Sequence, residues 1–503
     1  MKRIYLIYVT LFIVFVQACK DDLGNYEYTD TPIVTIDTSD MGGILAVLRY
    51  GSLNLAPKIN IPSGHEAEYK WILFNRPASS AIPAKSAIIS TDAILNAAIG
   101  EPEGNYGLEF IVTDKTTGIM STVVFRVDVT SNLDYGMMVL YQTEEGGDVD
   151  FIKTPQLSAS ITQVEHFKHL FSASYGAQIS GTPKFIGNAR VNFRPVDWIT
   201  VGSSNYLGRF NANNFDLLRD QLDIFRRNNT IINPQAYRYI STNYQALING
   251  GKLHVATEIT NEIDALFGGP AAGDYELAPY LTSKVNFAIY VVGYDQKNGR
   301  FIRYFPSSHT MVDFAAPALN VNQPFDLRNI GKDMLFMGEG RNSHTYSVFK
   351  DKVGDRRWLY QIDFSSKSDD GTLGVAVYEM TNLPDAAQAK FYQAAAFGDY
   401  IYYATDSKIY NYSYSFSNTA SQAFTVPAGE QITSIKFYRP SPNTFVADKE
   451  DRVLYVATWD GTKGKVYELG LNETSGMINA VPLNVFEVAG KVVDLSAKTK
   501  GNG

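Results

Sequence analysis

Short runs of alternating apolar and polar residues dominate the chain from about residue 32 onward. Residues 67–74 alternate in this way, and two longer runs, residues 104–114 and 119–130, flank a turn at residues 115–118. A period of two between turn residues indicates half-buried β-strands. About 100 residues of such strands, with Trp71 mid-domain and Tyr106 opening a late strand, predict an immunoglobulin-like β-sandwich over residues 32–131.

The motifs of this region resemble a known family. Glu68-Tyr69-Lys70-Trp71, then Gly104-Asn105-Tyr106 and Val112-Thr113-Asp114, are similar to the PKD family of sandwich domains. In that family a Tyr-x-Trp strand precedes a Gly-x-Tyr strand that ends in Val-Thr-Asp. The family's Gly-Asp-Gly turn is replaced here by Asn75-Arg76-Pro77, so the resemblance implies a divergent PKD-like sandwich. It makes Trp71 a core residue and Tyr106 a corner residue.

The rest of the chain, residues 135–503, repeats a unit of strand, turn and partner strand. Seven units can be placed, and three share a signature where a strand meets its turn: Val255-Ala256-Thr257, Tyr403-Ala404-Thr405 and Val456-Ala457-Thr458. The spacing is close to the roughly 40 to 50 residues of a propeller blade. It predicts a β-propeller, with seven blades favoured and six or eight as alternatives. Residues 492–495 would complete the first blade and close the ring.

Two stretches depart from the β pattern. Residues 214–227 place Leu218, Leu222 and Phe225 on one helical face, which predicts a helix on the propeller rim. Residues 386–396 form a weaker helix candidate. Such insertions either shape a binding surface or simply cover a blade edge.

The N-terminus indicates export. Lys2 and Arg3 precede the apolar run of residues 4–16, and small Ala18 stands just before Cys19, which predicts a signal peptide over residues 1–18. The run is shorter than the about 20 apolar residues of a membrane-spanning helix. Cys19 is the only cysteine of the 503 residues, so an intramolecular disulfide is excluded. The alternative is an incidental cysteine after an ordinary signal peptide.

Residues 16–19 resemble a bacterial lipobox, and Lys20, Asp21 and Asp22 resemble the surface-export signal of Bacteroidota lipoproteins. The resemblance implies that Cys19 carries the lipid, with palmitate among its acyl chains, and that residues 19–31 form the lipidated N-terminus and tether. With the sandwich and the β-rich remainder, the chain resembles the PKD-like family lipoproteins of Bacteroidota. This implies a location on the outer membrane, exposed at the cell surface, and partners such as a TonB-dependent transporter and a SusD-type lipoprotein.

Charge narrows the choice of partners. The formal net charge is −8, whereas nucleic-acid binding needs a basic footprint, so we expect no nucleic acid. The 32 Tyr and 29 Phe residues favour strands.

No motif predicts catalysis, a metal or a cofactor. His166 and His169 have H-x-x-H spacing without an acidic residue to complete a zinc pattern. Residues 336–343 lack the βαβ context of a dinucleotide loop, and a blade turn explains their glycines. Residues 295–299 have turn chemistry without the ligands of a calcium loop. A glycosidase needs a pair of carboxylates, and five aspartates are candidates by residue type alone. We interpret each of them as a solvated turn residue: Asp148, Asp150, Asp369, Asp370 and Asp460.

Aromatic side chains near proposed turns are the candidate ligand contacts, because an exposed ring can stack on a sugar face or hold an apolar ligand. They are Trp198, Tyr206, Trp358 and Trp459; packing in the core is the alternative for each.

Three functions therefore remain. The leading hypothesis, which the resemblance implies, is a non-catalytic binding or accessory lipoprotein of a nutrient uptake system for glycan or peptide. The second is a propeller-type polysaccharide hydrolase or lyase. The third is a structural or adhesive surface module.

The lipobox resemblance gives the first testable prediction. Replacing the lipidated residue, Cys19→Ala, is expected to release the protein from the membrane fraction or to block its processing. Fractionation and immunoblotting of cells measure this outcome. Continued surface anchoring of the variant would contradict the assignment of Cys19.

Overall fold

The computed structural model describes residues 32–75, 86–131, 133–189, 197–227, 231–240, 244–257, 265–317, 319, 321–439 and 451–498. Within these ranges the chain is almost entirely β-structure, in agreement with the predicted all-β class. Contacts divide it into two compact units. The first lies within residues 1–43, 55–95 and 107–125, and the second within residues 44–54, 96–106 and 126–503.

The N-terminal strands form one five-stranded sheet and two two-stranded sheets. The strands are β1 (Thr35–Asp37), β2 (Ile44–Leu48), β3 (Ser52–Leu55), β4 (Lys58–Asn60), β5 (Ala67–Asn75), β6 (Ser86–Ser90), β7 (Leu95–Ala98), β8 (Gly104–Asp114) and β9 (Met120–Thr130). The large sheet has the order β2-β9-β8-β5-β6, and the small ones pair β1 with β4 and β3 with β7. β2 runs parallel to β9.

Trp71 and Tyr106 have the predicted places. The Trp71 side chain is fully buried, and its ring stacks on that of Phe110 with centroids 4.0 Å apart. Its indole Nε1 donates a hydrogen bond to the carbonyl oxygen of Asp92 at 2.9 Å, so the one polar atom of the ring is satisfied. The Tyr106 hydroxyl donates to the carbonyl oxygen of Pro102 at 2.8 Å, which is the geometry of a tyrosine corner.

Asp114, the last residue of the Val-Thr-Asp motif, organises the turn after β8. Its carboxylate accepts a hydrogen bond from Nδ1 of His65 at 2.6 Å and others from the backbone N–H groups of Thr116 and Thr117 at 2.8 and 3.3 Å. The hydrogen bond from His65, followed by those from the two backbone groups, outweighs the effect of burial and lowers the pKa of Asp114 to about 2.

Residues from 136 onward form, in the part of the chain that the structure describes, seven sheets of three or four strands. The strands are β10 (Gly136–Gln142), β11 (Gly147–Lys153), β12 (Glu165–Phe167), β13 (Pro183–Ala189), β14 (Trp198–Ser203), β15 (Leu207–Asn211), β16 (Leu217–Asp220), β17 (Pro234–Ile240), β18 (Tyr244–Asn249), β19 (Lys252–Thr257), β20 (Val292–Asp295), β21 (Arg300–Phe305), β22 (Thr310–Asp313), β23 (Asp333–Glu339), β24 (Thr345–Lys350), β25 (Arg357–Ile362), β26 (Gly374–Glu379), β27 (Phe391–Ala394), β28 (Tyr400–Ala404), β29 (Lys408–Ser413), β30 (Thr419–Thr425), β31 (Gln431–Phe437), β32 (Val453–Trp459), β33 (Gly464–Gly470), β34 (Asn484–Val488) and β35 (Lys491–Lys498).

Six of these sheets contain strands that follow one another in the chain, and the remaining one closes the ring. Its order is β12-β11-β10-β35, so the C-terminal strand completes the sheet of the first three. β35 runs antiparallel to β10, with Leu495 opposite Val139. Residues 492–495 therefore complete the first sheet of the ring, as predicted.

Both predicted helices are wrong. Residues 214–227 contain β16 and a turn, because Asp220 accepts a hydrogen bond from the N–H of Leu222 at 2.8 Å while its own N–H donates to Asp223 at 2.9 Å. Such local side-chain to backbone bonds compete with a helix. Leu222 is 80% exposed whereas Phe225 is buried, so the residues expected on one helical face do not pack together. Residues 386–396 contain a 3₁₀ turn, Ala386–Gln388, and then β27.

The helices that do form in the described residues are short: α1 (Leu170–Tyr175) and the two 3₁₀ turns Arg341–Ser343 and Ala386–Gln388. None of the described helices has the length and hydrophobicity that crossing a membrane requires.

Asp114 gives a prediction for the dependence of stability on pH. Its folded-state pKa lies below the unfolded value, so its contribution to stability is present above about pH 4 and is lost as the pH falls through about 2. Asp114→Asn is therefore expected to lower the melting temperature at pH 7, with a deficit that shrinks between pH 4 and pH 2. Thermal unfolding followed by circular dichroism measures it. Asp92→Asn, at an exposed position, is the control; a deficit that stays constant down to pH 2 would contradict the assignment.

Ring closure gives a second prediction. Leu495 is fully buried in β35, so Leu495→Ala should lower the free energy of unfolding by about 2–5 kcal/mol, the usual cost of emptying a core position. Urea unfolding of the purified chain measures this loss. The matched control is Leu222→Ala, whose exposed side chain should matter by less than about 0.5 kcal/mol. Equal effects of the two substitutions would show that the closing strand adds little to stability.

Candidate functional site

The innermost strands of the second unit surround a channel. Six of its seven walls are β13, β17, β23, β27, β31 and β35, and residues 279–284 supply the seventh. The chain just before residue 279 is bonded to β20, because the N–H of Ala278 donates to the carbonyl oxygen of Tyr294 at 2.9 Å. Each wall therefore belongs to a different sheet, and we call the enclosed space the axial channel.

The axial channel has two chambers, of about 170 and 280 Å³. Both are lined by Arg238, Phe336, Gln393, Lys436 and Asp494, so the two chambers adjoin. Lys284 and Arg439 line only the smaller chamber, whereas Lys184 and Lys390 line only the larger one. We call these the Lys284 end and the Lys184 end.

Basic side chains outnumber acidic ones along the channel. Six cations line it against two carboxylates, Glu339 and Asp494, although the whole chain is acidic. The cations are Lys184, Arg238, Lys284, Lys390, Lys436 and Arg439. Protein walls of low dielectric constant focus such a field into the channel. The lining therefore favours an anion over a cation.

The two carboxylates are already held by neighbouring cations. Nη2 of Arg238 lies 2.9 Å from Oε1 of Glu339 and also donates to Oγ of Ser283 at 2.9 Å. Nζ of Lys436 lies 3.5 Å from Oδ1 of Asp494. These pairs link walls from different sheets, so they fix the shape of the channel and neutralise its acidic groups.

Two of the channel cations are paired outside the lining. Nε of Arg439 donates to Oδ1 of Asp451 at 2.6 Å, and its Nη1 donates to the carbonyl oxygen of Glu339 at 2.6 Å. Lys390 contacts both carboxylate oxygens of Asp406 at 2.7 and 2.9 Å. The side-chain ammonium groups of Lys184 and Lys284, by contrast, form neither an ion pair nor a hydrogen bond with any residue that the structure describes.

The Asn188 amide is a third group of the channel lining without a partner in the described chain. It lines the Lys284 end and is only 9% exposed, and both atoms of its amide, Oδ1 and Nδ2, lack a hydrogen-bond partner among the residues that the structure describes. An unpaired buried amide costs about 1–3 kcal/mol. A ligand or water that bonds to it in the channel would recover this cost.

The candidate aromatic residues lie elsewhere. Trp198 is buried against the Arg209 guanidinium at 4.3 Å, and half-buried Trp358 donates from Nε1 to Asp351 at 3.0 Å. Tyr206 packs edge-on against Phe171, and burial raises its pKa. Trp459 is half-buried at the end of β32. Three different sheets carry these four rings, and none lines the channel.

The candidate carboxylates are also dispersed. Asp370 and Asp460 are exposed turn residues, as predicted, and bonds from the N–H groups of Lys463 and Thr462 lower the pKa of Asp460 to about 2. For Asp148 and Asp150 the interpretation as solvated turn residues is wrong, because both are fully buried in β11. Asp369 forms an ion pair with Arg303 at 3.0 Å and is not a free turn residue either.

Asp148 and Asp150 have a structural role that also involves the two histidines. Asp148 accepts the N–H groups of Phe171 and Ser172 at the start of α1, and burial raises its pKa. Asp150 accepts a hydrogen bond from Nε2 of His166 at 2.8 Å, whereas Nδ1 of His169 bonds to the Tyr141 hydroxyl at 2.6 Å. His166 lies in β12 and His169 precedes α1, so they do not share a helical face.

The two glycine-containing motifs have different outcomes. Asp295 accepts hydrogen bonds from Asn298 Nδ2 at 2.7 Å and from Arg300 Nε at 3.2 Å, and Gly299 has φ +68°, so this segment is the predicted turn. In the other motif the expectation of a turn holds for Gly340, which precedes the 3₁₀ turn Arg341–Ser343, and is wrong for Gly338, which lies within β23. A Cβ there would come within 2.4 Å of the Phe336 ring, so close packing beside the channel requires glycine.

The channel residues were not among the sequence candidates. The three signatures that indicated the repeat, residues 255–257, 403–405 and 456–458, lie at β19, β28 and β32 and not in inner strands such as β17, β27 and β31. A signal was present: Lys184, Arg238 and Lys436 are each the one basic residue of an inner strand, and Lys284 is the one basic residue of residues 279–284. The lipidation and export residues, Cys19, Lys20, Asp21 and Asp22, lie outside the described residues.

Comparisons with known proteins agree with this architecture. The PKD-like family model matches residues 19–183, which confirms the predicted resemblance to that family. No curated protein matched the chain in sequence.

Among solved structures, the chain is similar to a quinonprotein alcohol dehydrogenase-like protein from Bacteroides thetaiotaomicron VPI-5482, with 13% identity, 92% of this chain and 96% of that chain covered, and a TM-score of 0.45. It is also similar to the dihydro-heme d1 dehydrogenase NirN, with 10% identity, 77% and 72% covered, and a TM-score of 0.41. A third is the β-propeller domain of Myceliophteria thermophila Cps50 (Swd1), with 10% identity, 63% and 90% covered, and a TM-score of 0.37.

Proposed function

We propose that this protein is a lipid-anchored lipoprotein of the outer membrane, exposed at the cell surface, that acts as a non-catalytic binding or accessory component of a nutrient uptake system. Its nutrient would be a glycan or a peptide. In this role the PKD-like sandwich is a spacer that follows the lipid anchor at Cys19, and the propeller is the platform that binds a ligand or docks a partner.

The axial channel is the observation that carries the proposal. It is concave, its walls come from seven different sheets, and convergent polar groups line it beside aromatic rings such as Phe336. In small-molecule sites, precisely placed polar groups fix the orientation of the ligand and provide specificity. The ion pairs between walls hold those groups in position before a ligand arrives, which lowers the entropic cost of binding.

The sequence supports the anchoring part of the proposal. The match to the PKD-like family begins at residue 19, the residue that the lipobox resemblance makes the first of the mature chain. A lipid at that position would keep the channel at the membrane surface, where a transporter can receive the ligand. The partners proposed on this basis are a TonB-dependent transporter and a SusD-type lipoprotein.

The experiment is a pull-down of the native membrane complex through a tag on the C-terminus, followed by mass spectrometry. The expected result is co-purification of an outer-membrane transporter with the wild-type chain. The Cys19→Ala variant, which should not reach the membrane, is the control for contact made after lysis. In parallel, the purified mature chain is applied to glycan and peptide arrays. Failure to retain any ligand, together with absence of a transporter from the pull-down, would overturn the proposal.

A further inference from the structure

We propose that the Lys284 end of the axial channel binds the carboxylate group of a small ligand, with the Lys284 ammonium and the Asn188 amide as its hydrogen-bond donors. This rests on the proposed function, because it takes the channel as the ligand site. It goes further by assigning the end of the channel, the contacting side chains and the ligand's chemistry.

The first argument is the state of the charges at this end. The carboxylate of Glu339 forms an ion pair with Arg238 at 2.9 Å, and that of Asp494 forms one with Lys436 at 3.5 Å. Asp451 accepts a hydrogen bond from Arg439. The ammonium of Lys284 has no partner in the described parts of the chain. It is half-buried, so water screens its charge less than that of a surface lysine. An anion in this chamber would therefore balance the one cation of the Lys284 end that no described group pairs with, because Lys184, the other unpaired lysine, lines only the opposite end.

The second argument is independent of charge. Asn188 lines the same chamber as Lys284, and its amide is buried without a partner. Buried side-chain amides in folded proteins are nearly always hydrogen-bonded, so an exception at a cavity wall indicates a group that bonds to a ligand or water there. The amide Nδ2 can donate to a carboxylate oxygen, while Oδ1 can accept from a neighbouring hydroxyl or N–H group of the same ligand.

The size of the chamber limits the ligand. A volume of about 170 Å³ suits one sugar ring or one amino-acid unit and not a folded partner. Among the proposed nutrients, the uronic acids of a glycan and the C-terminus of a peptide each carry a carboxylate on a unit of that size. Ser283 and Ser496 line the same chamber and can bond to the hydroxyl or amide groups that both sources carry.

The experiment measures affinity by calorimetry for matched acids and neutral derivatives. The glycan arm compares D-galacturonate with its methyl ester, and the peptide arm compares N-acetylalanine with its amide. In one of the two arms the acid is expected to bind about tenfold more tightly than its neutral partner, the scale of one charge-assisted hydrogen bond. Raising the salt concentration should weaken the binding of the acid and leave the affinity for the neutral compound unchanged.

Three variants test the named side chains. Lys284→Gln should remove the preference for the acid, whereas Lys352→Gln, at an exposed turn of the same unit, should keep it. Asn188→Leu should also lower the affinity for the acid about tenfold, since it removes one hydrogen bond to a charged group. Its melting temperature should not fall, because it replaces an unpaired buried amide. A purely structural Asn188 would instead lose stability and keep its affinity.

Several outcomes would overturn the inference. Equal binding of acid and neutral compound in both arms would do so, as would an unchanged acid preference in Lys284→Gln. Loss of acid binding in Lys184→Gln alone would contradict the assignment to the Lys284 end. If no small acid binds but a transporter still co-purifies, this inference fails while the accessory role stands. If both assays are negative, the proposed function fails as well.

Discussion

The ring depends on one pairing between distant parts of the chain, that of β35 with β10. Residues 491–498 bond to residues 136–142, so more than 300 residues separate the two strands in sequence. The entropic cost of closing a loop grows only slowly with its length, so burial of core side chains in the two strands can offset it. Val139 and Leu495 are both fully buried. The same pairing removes two strand edges that would otherwise be open to other chains.

Buried tyrosines explain how the sheets pack once the ring is closed. The Tyr414 hydroxyl donates to that of Tyr346 at 2.8 Å, which links two neighbouring sheets, and the Tyr403 hydroxyl donates to the carbonyl oxygen of Pro384 at 2.6 Å. Burial raises the pKa of Tyr403, so it remains a neutral donor. A tyrosine fills a sheet interface with its ring and satisfies its hydroxyl at the edge. The high tyrosine content thus reflects the geometry of the propeller more than a ligand site.

Sequence could predict those features that depend on local pattern. Strand alternation, the Trp71 core position, the Tyr106 corner and the closing segment all follow from period, residue type and turn chemistry. The helix predicted over residues 214–227 fails because a periodic apolar stripe says nothing about what will cover it, and Leu222 is left in solvent. Asp148 and Asp150 could not be placed either, since their partners are 16 to 24 residues away and meet them only in the folded sheet.

The channel could not be predicted from the sequence, for a related reason. Lys184, Arg238, Lys284 and Lys436 come from four separate sheets, and nothing in the spacing of one unit shows that its inner strand faces the axis. These basic residues occupy different positions in their segments, so they can be recognised as one group only when the ring brings them together. Asn188 is harder still, because an unsatisfied amide is defined by the absence of a hydrogen-bond partner within the folded, described chain.

The closure of the ring and the charge pattern of the candidate site depend on the same residues. β35 closes the ring and also supplies Asp494 to the channel wall, where its Oδ2 accepts the N–H of Ile186 from β13 at 3.1 Å. Its Oδ1 faces Lys436 of β31 on the other side. One carboxylate therefore ties the closing strand to both neighbouring walls and neutralises one cation of the channel. A chain that failed to close would release Lys436 as well as the strand, so the charge pattern that favours an anion at Lys284 exists only in the closed ring.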